Sequence, residues 1–234
     1  MRSFWLLLLS LALAYPGSRA FAQDVVECPS YPDVPINITT QFDDPTFDYS
    51  QNIAAIQRLS SDTSHSIKEG LTLGLTRYDP VLEFRVPIRE VSLASGLSCA
   101  FVDHVDVTIG YKNVAVFIAS EIPEDSCGFN QVLAHEQKHI NVNKQILAEY
   151  TPRIERELKE YLRLNGVFRE QTHDYALSIL QGKLHEILNG IIADMTQENM
   201  RRQQMIDTRA EYARVSASCG GQLSNIAARF LQGR

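Results

Sequence analysis

In the stretch "VLAHEQKHINVN", His135 and His139 are four residues apart and Glu136 directly follows the first. On a helix this spacing puts both imidazoles on one face, one turn apart, so that two ring nitrogens can reach a single tetrahedral ion at about 2 Å. Glu136 is then placed to take a proton from a water on that ion, whose pKa a zinc ion brings to roughly 7. The pattern therefore predicts a Zn²⁺ site able to hydrolyse an amide. The plainer alternative is an amphipathic helix whose two histidines are satisfied core residues.

Counting by threes and fours along "NQVLAHEQKHINVNKQILAEY" gives a stripe of Val132, His135, His139, Val142 and Ile146, flanked by Leu133, Glu136, Ile140 and Leu147. The histidines fall on the side expected to be buried. Gln137, Lys138, Asn141, Lys144 and Gln145 form the solvated side. A catalytic zinc needs a third protein ligand and one open position. Glu149 lies ten residues past His139, roughly 15 Å along a helix axis, and cannot serve. The third ligand must come from another element, and the helical region after Gly166 offers His173, Asp174, His185, Asp194, Glu198, Asp207 and Glu211. In "QQMIDTRAEYAR", Asp207 and Glu211 are one turn apart, so one can bind the ion while the other orients a histidine. Asp194 and Glu198 repeat the spacing and come second. Tyr212, next to Glu211, is the candidate donor to the developing oxyanion. His65, His104, His173 and His185 have no partner at ligand spacing and read as ordinary histidines.

The elements that must hold these residues begin after an export signal. Arg2 is followed by an apolar run from Phe4 to Ala14, too short to span a bilayer, and Ala20-Phe21-Ala22 is a small-x-small cleavage pattern. Residues 1–22 are thus expected to be removed, the mature chain to start near Gln23, and no later segment to cross a membrane. That loss takes Arg2 and Arg19 but no acid, moving the formal charge from −6 to −8 and arguing against nucleic acid or anionic lipid as partners. Cys28, Cys99, Cys127 and Cys219 fit disulfides in a periplasmic or secreted protein. Of three possible pairings, Cys99–Cys127 with Cys28–Cys219 is the expected one. Asn37 begins an N-I-T glycosylation triplet, meaningful only in a host that glycosylates.

Residues 23–125 read as a mixed lobe. "DYSQNIAAIQRLSS" carries Ile53, Ile56 and Leu59 at helical spacing, and "VLEFRVPIREVSL" is strand-like with a proline marking an edge or bulge. Val105, Val107, Ile109 and Tyr111 alternate, as do Val114, Val116 and Ile118, which predicts a hairpin turning at Lys112-Asn113. Residues 126–219 read as helices interrupted near Thr151-Pro152 and Asn165-Gly166, and 220–234 as a tail. The fold class expected is α+β, a strand-rich half with a hairpin packed on the active-site helix and a helical half behind it.

Taken together, "HEQKH" after a strand hairpin and before helices resembles the zincin metallopeptidases. More narrowly, a cysteine before "VDHVDVTI", the H-E-x-x-H helix and the late "QQMID" segment are similar to an uncharacterised bacterial family of exported proteins described as zinc-dependent proteases. The resemblance is closest over residues 99–150. Lys138 departs from the stricter zincin pattern, and Ala210, Tyr212 and Ala213 stand where that family tends to carry threonine, histidine and glycine. The resemblance implies Zn²⁺ as cofactor and a peptide or protein substrate, held along "NVAVFIAS" as the strand edge above the cleft. Two other readings compete. One is hydrolysis of a different amide, in the cell wall or elsewhere. The other is a non-catalytic binding or assembly protein whose partner surface is the stripe Leu177, Leu180, Leu184, Ile187, Ile191 and Met195.

Overall fold

The computed structural model describes Cys28 and residues 33–61, 71–93, 98–169 and 172–233. The expected export segment and His65 lie outside the described residues. The chain is mixed α+β. In order it forms β1 (Ile36–Phe42), β2 (Thr46–Asp48), α1 (Ile53–Ser61), β3 (Gly74–Arg85), β4 (Ile88–Ser92), β5 (Ser98–Val102), β6 (Val105–Ile118), α2 (Cys127–Asn165), β7 (Val167–Arg169), α3 (His173–Ile206) and α4 (Arg209–Gln232). β6 is the spine of the larger sheet. β1 and β2 run parallel to it in one register, Phe42 opposite Tyr111 and Thr46 opposite Ala115, while β3 pairs antiparallel. β4, β5 and β7 make a separate antiparallel sheet, and Pro87 falls between β3 and β4, where the chain changes sheet.

β6 replaces the expected hairpin. The buried side chains are odd-numbered from Val105 to Tyr111 and even-numbered from Val114 to Ile118, Gly110 being buried as well but without a side chain. A tight turn explains that change of parity, but so does one extra residue in a continuous strand, which returns the apolar side chains to the same face. The second occurs here. Asp79 pairs with Lys112 and Arg77 with Ala115, so Tyr78 opposes two residues of β6. Asn113 takes a left-handed φ of 53°, which its short polar side chain tolerates. Its backbone N–H donates to Asp43 and its side-chain amide to Asp79. Consequently "NVAVFIAS" is not an edge. It lies between β2 and β3, and β3 has β6 as its only strand partner among the described residues.

α2 is capped by Ser126, whose hydroxyl accepts from the Phe129 N–H, and continues through Pro152 for 39 residues. The expected break at Thr151-Pro152 does not occur. A proline inside a helix costs about 3 kcal/mol, but Ile154, Leu158 and Leu162 beyond it are almost fully buried, each contributing about 1.5–3 kcal/mol. The break at Gly166 does occur. One apolar cluster joins Val105, Val107, Ile109 and Val114 of β6 to Ile146, Leu158 and Leu162 of α2 and to Leu180, Leu184, Ile191 and Met195 of α3. The stripe weighed as a partner surface is thus largely core, with Leu177 and Ile187 half-buried at its margin. A second cluster joins Ile53 and Ile56 of α1, Val116 and Ile118 of β6, Val132 and Ile140 of α2, and Val215, Leu223 and Ile226 of α4. Within the expected tail of residues 220–234, residues 222–232 are therefore helical and packed, beyond a break in α4 at Ser218–Gly221.

The disulfides are Cys28–Cys99 and Cys127–Cys219, with Cα atoms 5.6 and 5.7 Å apart, which corrects the expected pairing. Cys99 is in β5, paired to β7 just beyond the C-terminal end of α2. Cys127 is the first residue of α2. About 58 Å of helix separates the two at 1.5 Å per residue, so a Cys99–Cys127 bond is impossible in this fold. No helix among the described residues is long and apolar enough to cross a membrane, and two disulfides fit a non-reducing compartment.

Candidate metal centre

The first third of α2 lies against the start of β3 and the junction of α3 with α4. His135 and Glu136 are buried at 7% and 4% exposure, and His139 is half-buried, while Gln137, Lys138, Asn141, Lys144 and Gln145 all face solvent. Asp207 enters at the point where α3 stops. It caps that helix, and Thr208 starts the next one by accepting from the Glu211 N–H. The "TRAE" segment is thus half of a capping box, the local reason that Asp207 is held in a turn rather than on a helix face.

Three ligand atoms converge. His135 Nε2 is 3.1 Å from Asp207 Oδ1, His139 Nε2 is 3.3 Å from the same oxygen, and the two Nε2 atoms are 3.3 Å apart. A tetrahedral ion with bonds of about 2.0–2.1 Å spaces its ligand atoms about 3.3 Å apart. Among the described residues this is the one group of three with such convergence. The donor set fits a zinc-type ion in chemistry as well, with two imidazoles and one carboxylate. Both imidazoles aim Nε2 at a shared point beside Asp207 Oδ1.

Each group is steered by a neighbour. His139 Nδ1–H donates to Gln203 Oε1 at 2.5 Å, which leaves Nε2 as the nitrogen facing the cluster. His135 Nδ1 is buried without a hydrogen bond; Glu211 Oε1 lies 3.6 Å away, too far for one. Glu211 is drawn off by Lys138 and Arg214, so of the two acids expected to share the work Asp207 joins the ligand group and Glu211 stands behind His135. The Tyr212 hydroxyl donates to Asp207 Oδ1 at 2.8 Å. On the other side, Thr76 Oγ1 donates to Glu136 Oε2 at 2.8 Å. Gly74 leaves the space into which Glu136 Oε1 fits, because a Cβ there would sit 2.5 Å from it.

The electrostatics follow from this packing. Burial pushes the Glu136 carboxyl up, against the pull of both histidines and Thr76. For His139, burial alone favours the neutral ring, but the Asp207 hydrogen bond and the Glu136 and Asp207 charges outweigh it and hold the ring up at about 9. Asp207 is desolvated too, yet hydrogen bonds from His135 and His139 hold it well below the usual carboxylate range. Glu211 is held low by Arg214 and then Lys138. Burial and the Asp207 charge push the Tyr212 phenol up, so it keeps its proton.

The other candidates lie elsewhere. Asp194 pairs with Arg153, Glu198 with Arg201 and Arg202, and Glu149 with Arg202. His104 sits between Asp103 and Asp106, His173 is 3.7 Å from Glu90, and His185 meets the Phe84 ring edge to face. Asp174 is exposed in the first turn of α3. Sequence reasoning gave no role to Thr76, Gly74 or Gln203. Only Gln203 had a local signal, one helical turn before Asp207.

The centre opens into a cleft of about 1160 Å³. Leu71, Leu73, Val132, Val215 and Leu223 line it on the α4 side of the histidines, and Tyr78, Leu82, Ile192 and Met195 on the α3 side. The β3 edge borders it. The Ala119 N–H donates to Leu73 O, so by antiparallel alternation Gly74 and Thr76 turn their backbone N–H and C=O groups away from β6. Comparison with protein-family models, with curated proteins and with solved structures finds nothing that matches this chain.

Proposed function

We propose that this protein is an exported zinc metallopeptidase of the zincin kind. The observation that carries the reading is the convergence of His135, His139 and Asp207 on one point beside the buried Glu136. Zinc held there would supply a Lewis acid for the scissile carbonyl and bring the pKa of water down to roughly 7.

The chain's own groups do the rest. Glu136 is the general base, and its raised pKa brings it nearer the operating range in which a carboxylate can both take and return a proton. Thr76 fixes one of its oxygens, so the other is the one that exchanges the proton. Tyr212, protonated at any ordinary pH, is the donor for charge developing on the carbonyl oxygen. The outward backbone groups of Gly74 and Thr76 would pair with an extended peptide, a role that falls to β3 rather than to "NVAVFIAS". A strand edge of this kind favours a peptide over other amides.

The test is elemental analysis of the purified chain together with a peptide-library digest. Wild type and Glu136→Gln should each hold one zinc per chain, His139→Ala none, and only wild type should cleave. Zinc retained by His139→Ala, or cleavage undiminished in Glu136→Gln, would overturn the reading.

A further inference from the structure

We infer that Gln203 is a positioning residue that sets the tautomer of His139, and that a buried amide chain of Asn143 and Asn199 ending on Tyr111 sets Gln203 in turn. The inference rests on the reading that His135, His139 and Asp207 hold a cation. A glutamine amide can present either its oxygen or its nitrogen to an imidazole, and the two choices give opposite tautomers. Here the choice is made by hydrogen bonds further in. Gln203 Nε2 donates to Asn143 Oδ1 at 2.9 Å and to the His139 carbonyl at 3.3 Å, which turns Oε1 to the ring. The His139 carbonyl can only accept, so Nε2 is the end of Gln203 that faces inward, and Asn143 Oδ1 then accepts from it and from Asn199 Nδ2 at 2.9 Å. The same Nδ2 donates to the Tyr111 hydroxyl at 2.9 Å. Reversing any one amide would set two acceptors or two donors face to face.

The chain is buried at the inner wall of the cleft. Asn143 is fully buried, Tyr111 is 2% exposed, and Asn199 and Gln203 are each 4% exposed. It is also incompletely satisfied, since Asn143 Nδ2 and Asn199 Oδ1 are buried without partners. Each such atom costs about 1–3 kcal/mol, so apolar residues here would make a more stable core. The amides are better explained by what they do at their outer end. They hold the Nδ1 proton of His139 on the Gln203 oxygen and leave the Nε2 lone pair for the ion. Without that acceptor nothing holds the remaining proton on Nδ1, so the neutral ring can keep it on Nε2 toward Asp207, where it blocks ligation.

The test compares the full chain with Gln203→Leu, which removes the acceptor, and Gln203→Glu, which keeps one. Zinc affinity is read by competition with a chromophoric chelator, and the His139 Nδ1–H by proton NMR at saturating zinc. We expect Gln203→Leu to bind zinc 10- to 100-fold more weakly and to lose a slowly exchanging, downfield Nδ1–H resonance. Gln203→Glu should stay within about threefold of wild type and keep that resonance. If the leucine variant does not fold, Gln203→Met, with an adaptable unbranched chain, takes its place. A variant without the acceptor that binds zinc as tightly as wild type, or keeps the protected resonance, would overturn the role of Gln203 alone. Wild type that binds no zinc would overturn the metal reading beneath it.

Discussion

Glu136 and His139 each hold a proton more tightly than an exposed residue of their type, Glu136 through burial and His139 through its acidic neighbours against burial. In the metal-free protein the folded state therefore binds more protons than the unfolded chain at neutral pH, so stability falls as pH rises. The His139 contribution is complete below its unfolded value of about 6.5 and is lost as pH rises through about 9. Asp207 and Glu211, both depressed, act in reverse, their contribution being lost as the solution becomes acidic enough to protonate them. Melting temperature against pH for the metal-free chain should pass through a maximum in the mildly acidic to neutral range. Zinc must displace the His139 proton, so calorimetry near pH 7 in buffers of different ionisation enthalpy should show net proton release. No release would argue that His139 is not a ligand. Gly74 gives a second check at this scale. Its replacement by alanine collides with side-chain atoms of Glu136 and Val132, so Gly74→Ala should cut peptide cleavage at least tenfold while leaving zinc content at one per chain.

Among the elements, α2 and β6 show what a sequence pattern can and cannot reveal. The helical stripe around His135 and His139 is visible because a period near 3.6 needs no knowledge of the partner surface. The change of parity in β6 is equally visible, but a hairpin and a bulge produce the same change, and only the strands on either side decide between them. Pro152 is a similar case. It is a local stop signal overridden by the apolar residues that follow, and it sits on the exposed side of α2. Pro152→Ala should therefore stabilise the protein by about 1–2 kcal/mol, seen as a higher urea midpoint at unchanged slope. A lower midpoint would mean that the packing of Ile154 and Leu158 depends on the local geometry the proline imposes.

Over the whole molecule, the two disulfides staple opposite ends of α2. Cys127–Cys219 ties its start to the break in α4, where Gln222 also accepts from the Gly128 N–H and Arg214 reaches Gln131. The other bridge, Cys28–Cys99, belongs to the small sheet next to the far end. Both close long loops, with separations of 92 and 71 residues, each worth about 4 kcal/mol in chain entropy. Paired Cys→Ser replacement at either should lower stability by a similar amount in guanidine unfolding. Zinc affinity should drop only for the Cys127/Cys219 pair, because α4 carries Tyr212 and Glu211 behind the ligands. An equal drop for both pairs would show that the centre responds to overall stability rather than to the placement of α4.

The sequence alone determined the features that depend on near neighbours. These are the helix bearing His135, Glu136 and His139, its wet and dry faces, and the run of long helices; Asp207 and Glu211 were legible as acids near the site but not as members of a turn and of the helix after it. Tertiary structure decided which acid reaches the histidines, which strand borders the cleft, which cysteines meet, and that Thr76 and Gln203 hold Glu136 and His139. Thr76 and Gln203 act across sixty residues or more of chain. Such contacts depend on where packed elements stop and cross, and no local period or spacing encodes that.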